Sequence, residues 1–213
     1  FELKENRPHG TPEHPFSLYH IKNVPHAFQI PVHWHDELEI IYVKSGSVHV
    51  TISGEHYIGN TGDAFVVSPG SLHFMGSHTG DVDYYTFLFP LEFVSFQMND
   101  LSEQMLMAPL KSGRMLFQIQ IGKSIEDLCE HLLVLYAREG DVRNPIRTTV
   151  PKDSAKRISF VAKQMETKMI LLEFLQRMWK NGFIIENDIS GRNATEKEMI
   201  SYIQENFTDE ISL

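Results

Sequence analysis

Between positions 16 and 90, short stretches occur in which apolar and polar residues alternate with a period of two, which is the period of side chains along a β-strand. The alternation is strictest at Val48, Val50 and Ile52, and turn signals with glycine or proline recur about every ten residues. Such a pattern is typical of a small antiparallel barrel or sandwich. We predict a turn at Ser45-Gly46. The predicted strands are 16–22, 28–31, 37–44, 47–52, 57–58, 64–67, 73–76 and 83–89.

After Gly122 the apolar period becomes that of a helix, with a short helix at 101–107 and one more strand at 114–121 expected just before it. We predict one helix from Ser124 to Gly140 and a longer one over 154–180. Along the long helix, apolar residues recur at heptad positions. They are Ile158, Val161, Met165, Leu172, Leu175 and Trp179.

A second apolar face of the long helix carries Leu171, Phe174 and Met178. Two arrangements therefore stay open. Either one face covers the barrel and the heptad face forms a dimer interface, or a single broad face is buried within the monomer.

These patterns divide the chain into an N-terminal arm at 1–15, a barrel at 16–121, a helical segment at 122–187 and a new element at 194–213. The arm holds three prolines, so it is either a disordered terminus or an extended segment that folds over a pocket. The chain begins without Met and stops inside what looks like a new helix. We therefore expect it to be a piece of a longer protein.

The net charge of −9 argues against nucleic-acid binding by this part of the chain, since phosphate contacts need a basic surface. Cys129 is the only cysteine, so no intrachain disulfide can form and a reducing, cytoplasmic location is expected. No apolar run approaches the roughly 20 residues of a membrane-spanning helix, so no membrane partner is expected.

Candidate chemistry lies at His33, His35 and Glu39, which share parity and would point to one side of a single strand. His73 is a candidate fourth member from a second strand. Two imidazoles and a carboxylate suit a divalent metal such as Zn, Ni, Mn or Fe. The alternatives are a metal-free polar pocket, or histidines that only close the barrel end through hydrogen bonds.

The spacing H-x-H, three residues, E, six residues, G resembles the first motif of the cupin superfamily, matched by His33, His35, Glu39 and Gly46. Gly62, Gly70 and His73 match the second motif, although Ser68 stands where proline is usual. The resemblance implies a mainly β fold with helices: a cupin-type, jelly-roll-like antiparallel β-barrel followed by a helical dimerisation segment. In metal-binding cupins the residues matching His33, His35, Glu39 and His73 are the ligands.

The sequence of residues 33–43 and 62–73 is similar to that of the regulatory domain of AraC/XylS-family transcription factors. The sequence of residues 196–213 is similar to the start of the DNA-binding domain of the same family. The resemblance implies a ligand-sensing regulator, not an enzyme, that works as a homodimer. Its effector would be a small molecule, carbohydrate in some members, held inside the barrel. DNA would be contacted only by helix-turn-helix units beyond this chain. The implied pocket residues are His33, His35, Glu39, His73, Met75, Tyr84 and Thr86.

A metal-dependent cupin enzyme of the dioxygenase or isomerase type is the alternative, since the full set of metal ligands is present. The helices after 122 and the new element after 194 argue against it, because a free cupin enzyme needs neither. A third hypothesis is a dimerisation module with a vestigial barrel.

Overall fold

The computed structural model describes residues 3–22, 28–77, 81–136 and 151–187, so the predicted opening of a DNA-binding domain at 194–213 lies outside the described residues. The prediction of a cupin-type antiparallel barrel with helices is confirmed. The strands are β1 Ser17–Lys22, β2 Phe28–His33, β3 Leu38–Ile52, β4 Glu55–Asn60, β5 Ala64–Val67, β6 His73–Ser77, β7 Val82–Phe89, β8 Met115–Phe117, β9 Gln120–Gly122 and β10 Ile184–Glu186.

Strand β3 is the centre of the barrel. Its first half pairs with β5 and β7, and its second half pairs with β4 and β6, so one strand joins the two halves of the sheet. The predicted turn at Ser45-Gly46 is wrong. The chain instead passes through an irregularity in the pairing with β7 between Val43 and Ser45, where Gly46 has a φ of 81°. A glycine at positive φ lets the strand bend without ending it.

The barrel has an inner core and an outer core because β3, β5 and β7 are buried on both faces. On β3, Ile41 and Val43 face the barrel interior, whereas Ile40 and Tyr42 face the helices. Burial on both sides explains the continuous apolar run that the sequence shows there. Glu39 has the inward parity, which places a carboxylate among apolar neighbours.

The helices are α1 Ala108–Lys111, α2 Glu126–Tyr136 and α3 Ser154–Lys180. The predicted long helix at 154–180 is confirmed, with Asp153 capping its first turn. The predicted short helix at 101–107 is in part a wider π-helical turn over Glu103–Met107, which runs into α1. In the described part of the chain, none of the helices has the length and apolarity to cross a membrane.

The predicted strand at 114–121 is two short strands, β8 and β9. β9 extends the barrel sheet beside β5, whereas β8 pairs with β10, which follows α3. The helical segment therefore ends in a strand that forms a separate two-stranded sheet with β8, which the helical period could not predict. Asn187 closes this return by bonding to the backbone of Gly113 and Arg114.

The arm is packed on the barrel over residues 3–15. The amide of Glu5 donates to the carbonyl of Trp34 at 2.9 Å, and the amide of Trp34 donates to the carbonyl of Leu3 at 3.0 Å. Lys4 pairs with Asp36 at 2.7 Å and lies over the Trp34 ring. The arm thus follows the segment that carries His33 and His35.

Candidate functional site

Three strands, and the segment that joins two of them, bring the candidate chemistry together at one side of the barrel. His33 ends β2 and lies across from His73, the first residue of β6. Glu39 is the second residue of β3, and His35 lies between β2 and β3. The prediction that His33, His35 and Glu39 share one strand is therefore wrong, because β2 ends at His33. The four side chains nevertheless converge, and we call them the His/Glu cluster.

The carboxylate of Glu39 is the centre of the His/Glu cluster. Its Oε2 lies 3.1 Å from Nε2 of His35 and 3.0 Å from Nε2 of His73. Glu39, His35 and His73 are all buried, with at most 3% of each residue exposed. The ring of His33 stands 4.2 Å from that of His73, centroid to centroid.

In each of the three imidazoles, Nδ1 faces a backbone carbonyl. The distances are 2.8 Å for His33, 3.1 Å for His35 and 2.9 Å for His73. A carbonyl only accepts, so Nδ1 carries the proton and donates it. A neutral imidazole then presents a bare lone pair at Nε2. This is the arrangement that orients histidines for metal binding through Nε2.

The site chemistry fits a divalent cation. A lone pair of His35 at Nε2 faces a lone pair of Glu39 at Oε2, which is repulsive unless a proton or a cation lies between them. Nε2 of His73 is buried and, in the described part of the chain, has no hydrogen-bond partner, because it is not aligned for one with Glu39. Two ligands about 2.1 Å from one ion and at right angles lie roughly 3 Å apart, as these atoms do.

One ligand atom from each of His33, His35 and His73 lies within 4.8 Å of the others, which is close enough for one ion to be shared. Glu39 adds a carboxylate at contact distance from two of them. Three imidazoles and one carboxylate suit Zn, Ni, Mn or Fe, with positions left for a ligand.

Burial and charge set the ionisation of the site. Burial raises the pKa of Glu39, but the adjacent imidazoles of His35 and His73 lower it more when Nε2 carries a proton, so this pKa lies well below its usual range. Burial is also the main cause that lowers the pKa of His33, and the nearby His73 adds to it. Both shifts favour the forms that bind a cation: an ionised carboxylate and a neutral imidazole.

A cavity of about 170 Å³ opens beside the His/Glu cluster. Four of the seven predicted pocket residues border it: His33, Glu39, Met75 and Thr86. The other three do not border it: His35 and His73 lie against Glu39, and Tyr84 is packed in the inner core.

The arm lies over this cavity, which was one of the two expectations for it, but the arm residues that take part were not predicted. Glu5, Arg7 and His9 border it, with Tyr19 of β1 beside them. His9 is buried, its Nδ1 lies 2.8 Å from the hydroxyl of Tyr19, and its Nε2 lies 3.5 Å from Glu5. That contact with His9 is the main cause that lowers the pKa of Glu5. Irregular segments carry no period, so only the inward parity of Tyr19 was available as a signal.

The far end of the arm contacts the helices through a buried group that we call the arm–helix network: His14, Tyr136, Gln164 and Thr167. The hydroxyl of Tyr136 lies 2.9 Å from Nε2 of His14 and 2.7 Å from the hydroxyl of Thr167. The side-chain amide of Gln164 donates to the backbone carbonyl of Glu13 at 2.6 Å. His14, Tyr136 and Thr167 are each at most 2% exposed.

The predicted dimer residues fall into two groups on α3. Ile158, Val161, Met165 and Trp179 are exposed, the first by 74%. Leu175 is buried in the outer core, and Leu172 packs partly against it. The buried face of α3 otherwise consists of residues such as Leu171, Phe174 and Met178, as expected. The helix therefore has a buried face and a separate exposed apolar stripe.

Solved structures that match part of this chain do so with low sequence identity and low TM-scores. One is an RmlC-like cupin from Shewanella frigidimarina: 29% identity, TM-score 0.30, covering 34% of this chain and 66% of that one. A second, from Thermotoga maritima, is described as a predicted oxalate decarboxylase: 18% identity, TM-score 0.31, covering 36% and 65%. A third is vicilin from hazelnut, Corylus avellana: 17% identity, TM-score 0.30, covering 35% and 21%.

This chain spans just under two thirds of the length of the first solved structures that it matches. A search of curated proteins gives no match. The family model of the AraC-like ligand binding domain matches residues 13–146, which is more than half of the chain. Together with the cupin barrel and its cavity, that match shows that the chain belongs to the AraC-like ligand-binding domain family.

Proposed function

We propose that this chain is the ligand-sensing regulatory domain of a cytoplasmic bacterial transcription factor. A small molecule binds inside the barrel and changes how two copies present their DNA-binding domains. The family match and the cavity support the sensing role. DNA is contacted only by a segment that follows the described residues, in keeping with the acidic charge of the chain.

The observation that carries this proposal is the position of the arm. At one end, Glu5 and His9 border the cavity, and at the other, His14 is bonded into the arm–helix network. A ligand that contacts both arm and barrel favours the closed arm, because it binds that state more tightly than the open one. Closing the arm in turn fixes His14 against α2 and α3.

The His/Glu cluster is proposed to hold one divalent ion through His33, His35, Glu39 and His73. The ion supplies a fixed positive charge and open positions for ligand oxygen atoms. The chain's own contribution is to orient the imidazoles through backbone carbonyls and to keep water away by burial.

The exposed stripe of α3 is proposed as the surface that pairs two copies. Ile158, Val161 and Met165 lie on it, and Met169 extends it with 66% exposure. Exposed apolar side chains in a row lower the free energy when a second copy covers them. Leu175 is used within the monomer, so the proposed interface depends on the exposed members and on Trp179 at its end.

A metal-dependent cupin enzyme is the second candidate, favoured by the convergence of three imidazoles and one carboxylate beside a cavity. The two functions differ in the fate of the ligand. A sensor releases it unchanged, whereas an enzyme converts it.

The test is hydrogen exchange on the full chain with a compound found by thermal-shift screening. Binding should slow exchange in residues 3–15 and around Gln164, and nuclear magnetic resonance should recover the compound unchanged. Glu39→Ala should lose the effect, whereas His56→Ala, on the outer hairpin beside Thr51, should keep it. Conversion of the compound would favour the enzyme, and binding without any change in the arm would contradict the sensor.

A further inference from the structure

The size of the cavity limits what it can hold. Its volume of about 170 Å³ is below the usual range for drug-sized ligands, so the occupant is a small molecule of roughly ten non-hydrogen atoms. One wall is apolar and consists of side chains from the strands. These are Ile21, Ile30, Met75 and Leu88.

Two polar side chains on the cavity wall make no hydrogen bond or ion pair among the described residues. Arg7 has no carboxylate within ion-pair distance, and its guanidinium lies 5.5 Å from the ring centre of Tyr19. Thr86 is 97% buried and lines the cavity, and its hydroxyl is not one of the enclosed polar atoms without a partner, so it opens on the cavity. A hydroxyl that faces a cavity can form a hydrogen bond with a ligand group placed there.

The other polar groups that the arm and β1 place on the wall already contact one another, although Nε2 of His9 makes no hydrogen bond among the described residues. Tyr19 and His9 bond to each other, and Glu5 lies beside His9 and 3.7 Å from His33. These contacts hold the arm on the barrel, and Arg7 and Thr86 remain to contact a ligand, together with Nε2 of His9.

The charges around the cavity determine whether it favours an anionic or a cationic ligand. Glu5 and Glu39 alone would repel an anion, but a divalent ion held by the His/Glu cluster would, together with Arg7, outweigh their charge. Guanidinium groups bind carboxylates through paired hydrogen bonds, and open positions on a divalent ion take oxygen ligands.

We propose that the site takes a small hydroxycarboxylate anion, with the carboxylate at Arg7 and a hydroxyl at Thr86. This inference rests on the proposed sensing function and narrows its ligand. A carboxylate at Arg7 also holds the arm directly, because Arg7 is an arm residue. The ligand therefore closes the arm by the same contact that recognises its charge.

The test is isothermal titration calorimetry on the zinc-loaded full chain with two matched pairs of probes. The acids are glycerate and galacturonate, and their uncharged partners are glycerol and galactose. At least one acid should bind about 10- to 100-fold more tightly than its partner, the range expected for a charge-assisted hydrogen bond. Removal of zinc with a chelator should lower the affinity for the acid, while thermal unfolding of the protein should remain cooperative.

Variants assign the selectivity to its residues. Arg7→Gln should lower the affinity for the acid about 10-fold or more and leave the affinity for its neutral partner unchanged, whereas Arg7→Lys should retain part of the affinity for the acid. Thr86→Val should lower the affinity for the acid several-fold at nearly constant side-chain volume. The control is Arg114→Gln, an exposed arginine bonded to Ser112 and absent from the cavity wall, which should change nothing.

Three outcomes would overturn the inference: equal binding of acid and neutral partner, no binding of either acid, or an Arg7→Gln variant with unchanged selectivity. None of these would contradict sensing itself, which is tested by the response of the arm to any compound that binds. A melting temperature for each variant separates lost recognition from lost folding.

Discussion

At the scale of single residues, the hydroxyl of Tyr136 has an unusual position, because it joins the arm to both long helices. It lies between His14 and Thr167, and all three residues are buried. Removing it leaves two buried polar groups without this partner, which costs about 1–3 kcal/mol. We therefore expect Tyr136→Phe to lower the free energy of unfolding in urea by that amount.

Tyr57→Phe is the matched control. The hydroxyl of Tyr57 bonds to Glu55 on the exposed β4 hairpin, where water can replace the partner. Its loss should cost no more than about 0.5 kcal/mol. Equal effects of the two substitutions would show that the arm–helix network does not stabilise the fold.

A second residue-scale prediction concerns pH and metal binding. A metal ligand must be unprotonated, and burial lowers the pKa of His33 from its ordinary value of 6.5. Zinc should therefore remain bound somewhat below pH 6.5 and be lost only as the pH falls through this lowered pKa. Dialysis followed by elemental analysis measures the retained zinc. His73→Ala should reduce the stoichiometry at pH 7, and full retention in that variant would contradict the site.

At the scale of elements, the continuity of β3 depends on Gly46. A Cβ at this position would lie 2.1 Å from the carbonyl oxygen of Asp81, and φ is already +81°. Gly54 has nearly the same φ, +82°, but a Cβ there would meet nothing within 4 Å. Gly54→Ala should therefore cost about 1 kcal/mol from backbone strain alone. Gly46→Ala should cost about 3 kcal/mol or more, because the clash with backbone is added.

Chemical denaturation of both glycine variants measures this difference. Equal stability of Gly46→Ala and Gly54→Ala would contradict the interpretation that the continuity of β3 depends on Gly46.

Strand β3 and its neighbour β5 show which structural features the sequence pattern predicts and which it does not. Alternation placed β5 at its observed bounds and gave the inward parity of Glu39, because side-chain direction follows from local geometry alone. It could not tell a turn at Ser45-Gly46 from a bend within β3. Both need a glycine at positive φ, and the distinction depends on which strands pair on either side.

The candidate site was predictable in part for a similar reason. Motif spacing identified the His/Glu cluster even though His33 and His35 do not share one strand with Glu39, since the motif describes the ligands and not the hydrogen bonds between strands. The contributions of Glu5, Arg7 and His9 depend on long-range packing of the arm, which leaves no period in the sequence.

At the scale of the whole molecule, the exposed stripe of α3 predicts an assembly of two copies. Met165 is 61% exposed at its centre. Met165→Asp places a charge in the proposed interface, and we expect sedimentation to shift from dimer to monomer. Ile58→Asp, on the outside of the barrel with similar exposure of 56%, should leave the dimer intact.

A Met165→Asp variant that sediments as a dimer would exclude this face as the interface. Loss of the dimer in Ile58→Asp as well would point to general destabilisation or to an interface elsewhere. Circular dichroism melting of both variants separates these two cases.

The division of the cavity wall between arm and barrel has an evolutionary consequence. Strand residues such as Met75 and Thr86 are buried, so most replacements there cost folding stability. Arg7 is exposed and Glu5 only half-buried, so replacements at these positions are tolerated far more readily. Descendants of one ancestral gene can thus acquire new ligands through substitutions at a few arm positions, while the barrel is inherited unchanged.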